Sequence, residues 1–126
     1  MSQEKNYPID LSIVIPLYNE QESLPELHRW ISRVVTEMGI TYEIIFVDDG
    51  STDDSWATIE QLHAEDLHVR AVRFARNYGK SPGLQTGFER ASGAVVITMD
   101  ADLQDSPDEI PELYRMIREE DYDVVS

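Results

Sequence analysis

Four short runs of apolar residues, many of them β-branched, recur along the chain with polar segments between them. They span Leu11 to Pro16, Tyr42 to Val47, Val69 to Phe74 and Ala94 to Met99. The runs are nearly unbroken, whereas a strand with one solvated face would alternate apolar and polar residues. This pattern is typical of strands buried on both faces of a parallel sheet. We therefore predict four buried strands.

Segments with helical periodicity separate these strands. Apolar residues recur at steps of three and four between Leu24 and Met38, and Gly39 follows as a typical helix end. Three more helices are predicted near Asp53 to His63, near Ser81 to Ala91, and from Pro107 to about Glu119. Strands that alternate with helices indicate an α/β fold with a mostly parallel sheet, right-handed crossovers and helices on both faces.

The domain organisation is simple. The chain has 126 residues, which is a typical length for one domain, and it contains no repeat or internal linker. Residues 1–8 are a polar lead-in, residues 9–126 form the domain, and the final segment DYDVVS is predicted to be a fifth strand.

Composition narrows the class of protein. The net charge of −15 argues against a nucleic-acid-binding role, because phosphate backbones require clustered lysine and arginine. The chain has no cysteine, and its apolar runs are far shorter than the roughly 20 residues of a membrane span. We therefore expect a cytoplasmic location and, if the ligand is anionic, local cations that bind it.

The polar segments that follow the predicted strands are the candidate ligand site. They read PLYNE, DDGS, ARNYGK and MDADLQD, in chain order. Parallel α/β sheets bind ligands outside the carboxyl ends of their strands, where these four segments should meet.

The segment VDDGSTDDS combines a helix start with two unexplained carboxylates. Ser51 is predicted to cap the second helix, with Asp53 and Asp54 in its first turn. Asp48 and Asp49 instead end a buried strand, where a carboxylate without a partner is costly. We interpret this pair as a ligand site that accepts hydrogen bonds from a base edge or a ribose.

Two other segments have a structural and a functional interpretation that the sequence leaves open. In PLYNEQES, Asn19 or Glu20 would cap the long helix, and Tyr18 would either pack beside that helix or stack on a base. In FARNYGK, Arg76 and Lys80 would be either phosphate ligands or ordinary surface cations.

The segment DADLQD predicts a metal site. A calcium loop would require glycine at its sixth position and glutamate at its twelfth, where this chain has Asp105 and Pro111. Carboxylates at Asp100 and Asp102, with the amide of Gln104, are instead suited to Mg²⁺ or Mn²⁺. Such a metal would bridge a diphosphate and offset the negative charge of the protein.

The motifs IVIPLYNE, VDDGSTDDS, RNYGK and MDADLQDSPDEIPEL, in this order, resemble the donor-binding half of the inverting glycosyltransferases of family 2. The similarity is greatest to the branch that acts on polyprenyl phosphates. It implies a Rossmann-like GT-A fold over residues 9–126 and metal-dependent transfer of a sugar from a nucleotide-sugar donor to a lipid phosphate. Transfer to a sugar hydroxyl in cell-envelope or polysaccharide synthesis is the alternative.

The resemblance also implies roles for individual residues. Pro16, Tyr18 and Glu20, after the first strand, would line the nucleotide pocket, and Val47 and Asp49, at the end of the second, would hold the base. Lys80, in the loop after the third strand, would contact the phosphate. After the fourth strand, Asp100, Ala101 and Asp102 would bind the ribose and the metal, with Asp100, Asp102 and Gln104 as the metal ligands.

Two features depart from the family pattern. Pro82 and Gly83 replace the small residues that usually begin the following helix, which affects the expected path of that helix. Members of the family also continue well beyond the position of DYDVVS. We therefore expect an N-terminal, donor-binding fragment that binds nucleotide weakly, transfers no sugar and contains no catalytic residue that can be assigned. The parent enzyme would lie at the cytoplasmic face of a membrane, which it would contact through regions that follow.

Other classes of protein fit the sequence less well. A phospho-acceptor signalling domain is also a small acidic α/β protein, but it requires a lysine after its paired carboxylates, and no lysine follows Asp102. A dinucleotide-binding oxidoreductase would have G-x-G-x-x-G after the first strand. A nucleotidyl transferase would have a basic, glycine-rich loop where PLYNEQES stands.

Overall fold

The computed structural model describes residues 8–120. It contains a sheet of four parallel strands, β1 (Ile9–Leu17), β2 (Tyr42–Asp48), β3 (Val69–Arg73) and β4 (Gly93–Thr98). Their order across the sheet is β3-β2-β1-β4, so β1 and β2 are central. The four predicted strands and the parallel sheet are confirmed, but β3 is an edge strand in which only Val69 is buried, so it is not buried on both faces as predicted. The predicted fifth strand lies outside the described residues.

Four α-helices follow the strands. They are α1 (Leu24–Met38), α2 (Ser55–Glu65), α3 (Lys80–Arg90) and α4 (Ile110–Glu120), and a 3₁₀ turn at Pro107–Glu109 leads into α4. All four predicted helices are therefore present, with starts that differ by at most three residues from the predicted ones.

The helices cover both faces of the sheet. One face carries Leu11, Ile13 and Ile15 of β1 and packs against the buried residues of α1, α2 and α4. The opposite face carries Val14 of β1 with Ile45 and Val47 of β2, and it packs against α3. This alternation along the central strands explains why their sequences are mostly apolar, with Ser12 and Glu43 as buried polar exceptions.

Helix α3 lies unusually close to the sheet. A Cβ atom on Gly87 would be 2.2 Å from Val14 Cγ1, so only glycine allows this approach. Gly83, one helical turn earlier, faces Pro16 of β1 at ordinary contact distance. Pro82 is accommodated because it lies in the first turn, where a backbone N–H has no helical partner. The departure from the family pattern at Pro82 and Gly83 therefore leaves a regular helix.

The predicted helix caps require correction. Helix α2 begins at Ser55 and not at Ser51, because Ser51 Oγ instead accepts a hydrogen bond from the Asn19 backbone at 2.8 Å. Ser106 caps the last helical segment, where its Oγ accepts a hydrogen bond from the Asp108 N–H at 3.3 Å.

A hydrogen-bonded cluster lies at the amino end of the sheet, far from the strand tips. Asp66 accepts hydrogen bonds from His28 of α1 and from the ring and backbone of His68, at 2.7 to 2.9 Å. The ring of His68 stacks on Tyr42 of β2 with 4.0 Å between centroids. This cluster links α1 and β2 to the segment before β3.

Candidate functional site

A cleft of about 430 Å³ lies at the carboxyl ends of the strands. It is bordered by the tips of β1, β2 and β4 and by the start of α3. Its lining residues are Pro16, Leu17, Tyr18, Glu20, Asp49, Asn77, Gly79, Lys80, Asp100, Ala101 and Asp102. The cleft is therefore where a parallel α/β sheet is expected to bind its ligand.

The tip of β1 is fixed by hydrogen bonds to the tip of β2. Asn19 has a positive φ of 53°, and its side-chain oxygen accepts from the backbone N–H groups of Thr52 and Asp53 at 2.8 and 3.2 Å. Glu20 N donates to Ser55 Oγ at 2.9 Å. Asn19 thus connects two loops, which is different from the helix cap predicted for it. Tyr18 beside it is 43% exposed and lines the cleft.

The two carboxylates at the tip of β2 are buried and hydrogen-bonded to backbone. Asp48 is fully buried and accepts from Ser51 N at 3.0 Å through Oδ1, while its Oδ2 has no hydrogen-bond partner among residues 8–120. Asp49 is 6% exposed and accepts from Tyr78 N at 2.7 Å and from Gly79 N at 2.9 Å. Both acidic side chains therefore organise loops at the edge of the cleft.

The carboxylates at the tip of β4 are exposed to the cleft. The side chain of Asp100 is 46% exposed, and its Oδ1 lies 3.0 Å from Lys80 Nζ. Asp102 is exposed and accepts a hydrogen bond from the backbone of Gln104 at 3.2 Å. Asp105 accepts from Asp100 N at 3.0 Å, so it shapes this tip and is not merely solvated.

Lys80 is the cation that faces these acids. Its hydrogen bond to Asp100 and the negative charge of that residue raise the pKa of the Lys80 ammonium, and the charges of Asp105 and Asp102 add to the effect. The ammonium therefore stays charged at neutral pH and is available to an anionic ligand.

Most of the predicted site residues come together in the cleft. Pro16, Tyr18, Glu20, Asp49, Lys80, Asp100, Ala101 and Asp102 all line it. Val47 does not, because its side chain is fully buried in the apolar layer beneath α3. Gln104 does not line it either, because Leu103 has a positive φ of 66° and the chain turns there. Asn77 and Gly79 line the cleft without having been singled out in the sequence.

The donor groups in the cleft fit a divalent cation that shares its coordination with a ligand. Within residues 8–120, no group of three or more histidine, aspartate or glutamate side chains could hold a metal ion by itself. Mg²⁺ in nucleotide sites is usually bound by one or two carboxylates together with phosphate oxygens and water. Asp100 and Asp102 offer such a partial set, open to the cleft.

The fold and the cleft define a Rossmann-like α/β domain with its ligand site at the strand tips. The chain belongs to a family described as Glycosyl transferase family 2, whose sequence profile matches residues 12–126. It is 54% identical over 111 residues to the undecaprenyl-phosphate 4-deoxy-4-formamido-L-arabinose transferase of Pseudomonas fluorescens. That match covers 86% of this chain and 33% of the relative, so the chain spans about a third of the length of the curated relative.

Solved glycosyltransferases share the fold. The mannosyltransferase PcManGT from Pyrobaculum calidifontis, in complex with GDP-Man and Mn²⁺, superposes with a TM-score of 0.75 at 22% identity, over 90% of this chain and 36% of that one. S. aureus TarS 1-349 in complex with UDP superposes with a TM-score of 0.70 at 23% identity, over 87% of this chain and 32% of that one. These similarities confirm the predicted GT-A fold.

The four helices are 11 to 15 residues long. Within residues 8–120, none has the length and apolar character that crossing a bilayer requires.

Proposed function

We propose that this chain is the nucleotide-sugar-binding part of a glycosyltransferase that transfers a sugar to a polyprenyl phosphate. The observation that carries the proposal is the cleft at the strand tips, where Lys80 faces Asp100 and Asp102 in a member of family 2. The similarity to an undecaprenyl-phosphate sugar transferase supports a lipid-phosphate acceptor. A sugar hydroxyl is the alternative acceptor.

The donor would be bound by groups from the tips of β1 and β4 and from the start of α3. Tyr18 offers an exposed ring on which a base can stack, with Pro16 and Glu20 beside it. Lys80 supplies a positive charge for the diphosphate. Asp100 and Asp102, with the backbone of Ala101 between them, would hold the ribose and a divalent cation, Mg²⁺ or Mn²⁺.

In the reaction, the bond between the anomeric carbon and the diphosphate oxygen breaks as an acceptor oxygen forms a new bond to that carbon, with inversion. A divalent cation held by Asp100 and Asp102 would supply positive charge to the departing diphosphate. Lys80, whose Nζ lies 3.0 Å from Asp100 Oδ1, would add a second positive charge beside the diphosphate. A lipid phosphate is anionic at neutral pH, so its attack requires no general base, whereas a sugar hydroxyl would require one.

The location of the whole protein follows from its proposed acceptor. A polyprenyl phosphate lies in a membrane, so the parent enzyme would work at its cytoplasmic face. The described helices provide no membrane span, so that contact would be made by other parts of the protein.

Nucleotide binding by the 126-residue chain tests the proposal. We expect UDP, GDP or one of their sugar derivatives to raise the melting temperature, and Mn²⁺ to increase that shift. AMP and NAD⁺ serve as control ligands for a general nucleotide effect. A chain that is stabilised by none of the nucleoside diphosphates, with or without Mn²⁺, would exclude the proposed function. Sugar transfer by the 126-residue chain alone would refute the prediction that it only binds the donor.

A further inference from the structure

Ser23 lies where a helix-capping residue is expected, but its hydroxyl does not cap the helix. It immediately precedes α1, and a serine at this position usually accepts a hydrogen bond from an N–H of the first helical turn. The side chain of Ser23 forms no such bond. Its hydroxyl instead donates to the carbonyl oxygen of Ala101 at 2.6 Å. A residue suited to a helix cap is therefore used to contact the tip of β4.

Three oxygens lie near this hydroxyl, and the distances favour Ala101. Ser23 Oγ is also 3.1 Å from the carbonyl oxygen of Glu20 and 3.2 Å from Glu20 Oε2. A hydroxyl has one proton to donate, and O–H···O hydrogen bonds are usually about 2.7 to 2.8 Å long. The hydroxyl proton is therefore assigned to Ala101.

Ala101 is the residue between the two proposed metal ligands, Asp100 and Asp102. Its carbonyl belongs to the peptide group that leads into Asp102, and a peptide group is planar. A hydrogen bond to this carbonyl therefore fixes the direction in which the chain enters Asp102. Ala101 is only 4% exposed, which leaves little access for a water molecule that could replace the serine.

Few other hydrogen bonds hold this turn. The last ladder bond of β4, from Met99 N to Val14 O at 3.0 Å, comes before it. The carboxylates that bond its other backbone groups, such as that of Asp105, belong to the same loop. Within residues 8–120, the bond from Ser23 is the one hydrogen bond that joins the backbone of residues 100–104 to another part of the domain.

We propose that Ser23 is a positioning residue, whose hydroxyl holds the turn between Asp100 and Asp102 so that both carboxylates face one divalent cation. The cation in this statement rests on the proposed function, whereas the hold on the turn does not. Because Ser23 acts through the backbone of Ala101, its effect is confined to binding that requires the metal.

Carbon-13 NMR without any ligand tests the hold directly. A carbonyl carbon moves upfield when its hydrogen-bond donor is lost, so the Ala101 carbonyl resonance should move upfield in Ser23→Ala. Ser32→Ala is the matched control, because Ser32 lies on α1 with its hydroxyl 3.4 Å from His28 Nε2, and it should leave that resonance in place. An Ala101 resonance that does not move in Ser23→Ala would overturn the proposal.

The unmodified chain provides a second measurement. The Ser23 hydroxyl proton should exchange with water slowly enough to be observed, because it is held in a short hydrogen bond. A Ser23 hydroxyl proton that exchanges as fast as that of an exposed serine would overturn the proposal even if Ser23→Ala fails to fold.

Calorimetry with UDP and Mn²⁺ tests the consequence for the site. Ser23→Ala should weaken UDP binding about tenfold with Mn²⁺ and less than about twofold without it, since groups that orient metal ligands contribute about this much to metal affinity. Ser23→Thr keeps a hydroxyl and should restore both affinities. If Ser23→Ala weakens UDP equally with and without Mn²⁺, or if Ser23→Thr behaves like Ser23→Ala, the hydroxyl does not position the metal ligands.

The two measurements separate this proposal from the proposed function. If neither UDP nor GDP binds the unmodified chain in the presence of Mn²⁺, the proposed function fails. The Ala101 carbonyl resonance then still decides whether Ser23 holds the turn.

Discussion

The tips of β2 and β4 carry similar pairs of carboxylates on either side of β1, yet the two tips use them differently. At the β2 tip, Asp48 and Asp49 are almost completely buried and accept hydrogen bonds from backbone N–H groups. At the β4 tip, Asp100 and Asp102 are open to solvent, and a lysine is the partner of the first. The carboxylates of the β2 tip are therefore tied to backbone N–H groups, whereas those of the β4 tip are open to solvent.

The difference follows from what surrounds each tip. Asp49 is covered by residues 74–79, which pack onto Gly50 so closely that a side chain there has no room. The β4 tip instead leaves the sheet in an open turn at residues 101–103. The number of acidic residues at a strand tip thus does not indicate how those residues are used. Their burial and their hydrogen-bond partners show how far each carboxylate is open to solvent.

The largest effect is expected from Gly50→Ala, which attacks the packing at the β2 tip. Alanine would adopt a left-handed conformation at φ 75° and would also collide with the backbone of Arg76. We expect a loss of about 3 kcal/mol in the free energy of unfolding, measured with urea. Gly39→Ala is the control, because φ is 69° there and nothing lies within 4 Å, so it should lose only about 1 kcal/mol. Equal losses would mean that residues 74–79 are not packed on this tip.

At the β4 tip, Asp102→Asn should remove the dependence of UDP binding on Mn²⁺. An amide retains the shape of the side chain but lacks the negative charge that a hard cation requires, so affinity with Mn²⁺ should fall about 30-fold. Calorimetry with and without Mn²⁺ measures the effect, and Glu109→Gln removes an equal charge outside the cleft as a control. If the UDP affinity of Asp102→Asn with Mn²⁺ is unchanged, Asp102 is not a metal ligand.

Lys80→Met should have opposite effects on the two ligands of the cleft. UDP affinity should fall about tenfold through loss of the cation, while the affinity for Mn²⁺ alone should rise about threefold, because the ammonium no longer competes for Asp100. Titration of Mn²⁺ by electron paramagnetic resonance gives the second value. Arg90→Met, at the opposite end of α3, is the control. If Lys80→Met lowers the affinity for Mn²⁺ in the absence of UDP, the ammonium of Lys80 does not compete with Mn²⁺ for Asp100.

The smallest effect concerns Asp66, a partly buried carboxylate that, like Asp49 at the β2 tip, accepts a hydrogen bond from a backbone N–H. Burial opposes its ionisation, but hydrogen bonds from His68 and His28 outweigh this and lower the pKa of Asp66. Because the pKa of Asp66 is lower in the folded state than in the unfolded state, where it is near 3.8, the ionised carboxylate stabilises the fold at pH values above 3.8. This contribution is lost as the pH falls through the pKa of the folded state. Asp66→Asn should therefore cost about 1 kcal/mol at pH 7 and less at pH 3. Urea unfolding at both pH values, with Glu65→Gln as the control, measures this. If Asp66→Asn lowers the free energy of unfolding equally at both pH values, ionisation of Asp66 does not contribute to stability.

The regular part of the fold was predictable from the sequence because periodicity reports burial. Mostly apolar runs rich in β-branched residues identified the four strands, and the spacing between Leu24 and Met38 identified α1 with its observed ends. Helix starts were less predictable because side chains that could cap them have other partners. Ser51, for example, bonds to the β1 tip instead of capping α2.

The site was predictable only in part, because loops lack periodicity. Strand ends identified Lys80, Asp100 and Asp102, but nothing in the sequence indicates that Asp49 would be covered by residues 74–79. Gln104 was expected beside Asp102, and the positive φ of Leu103, unusual for leucine, turns it away. Val47 precedes two acids at the strand end, yet strand alternation turns its side chain to the buried face beneath α3.

The contrast between the two acidic tips is tested most directly by the ratio of UDP affinity with Mn²⁺ to that without it, measured by calorimetry for Asp49→Asn and Asp102→Asn. If the β4 tip binds the metal and the β2 tip holds the cleft, the ratio falls to about one in Asp102→Asn. In Asp49→Asn the ratio stays near that of the unmodified chain while both affinities decline. A ratio that collapses in Asp49→Asn and persists in Asp102→Asn would contradict this assignment.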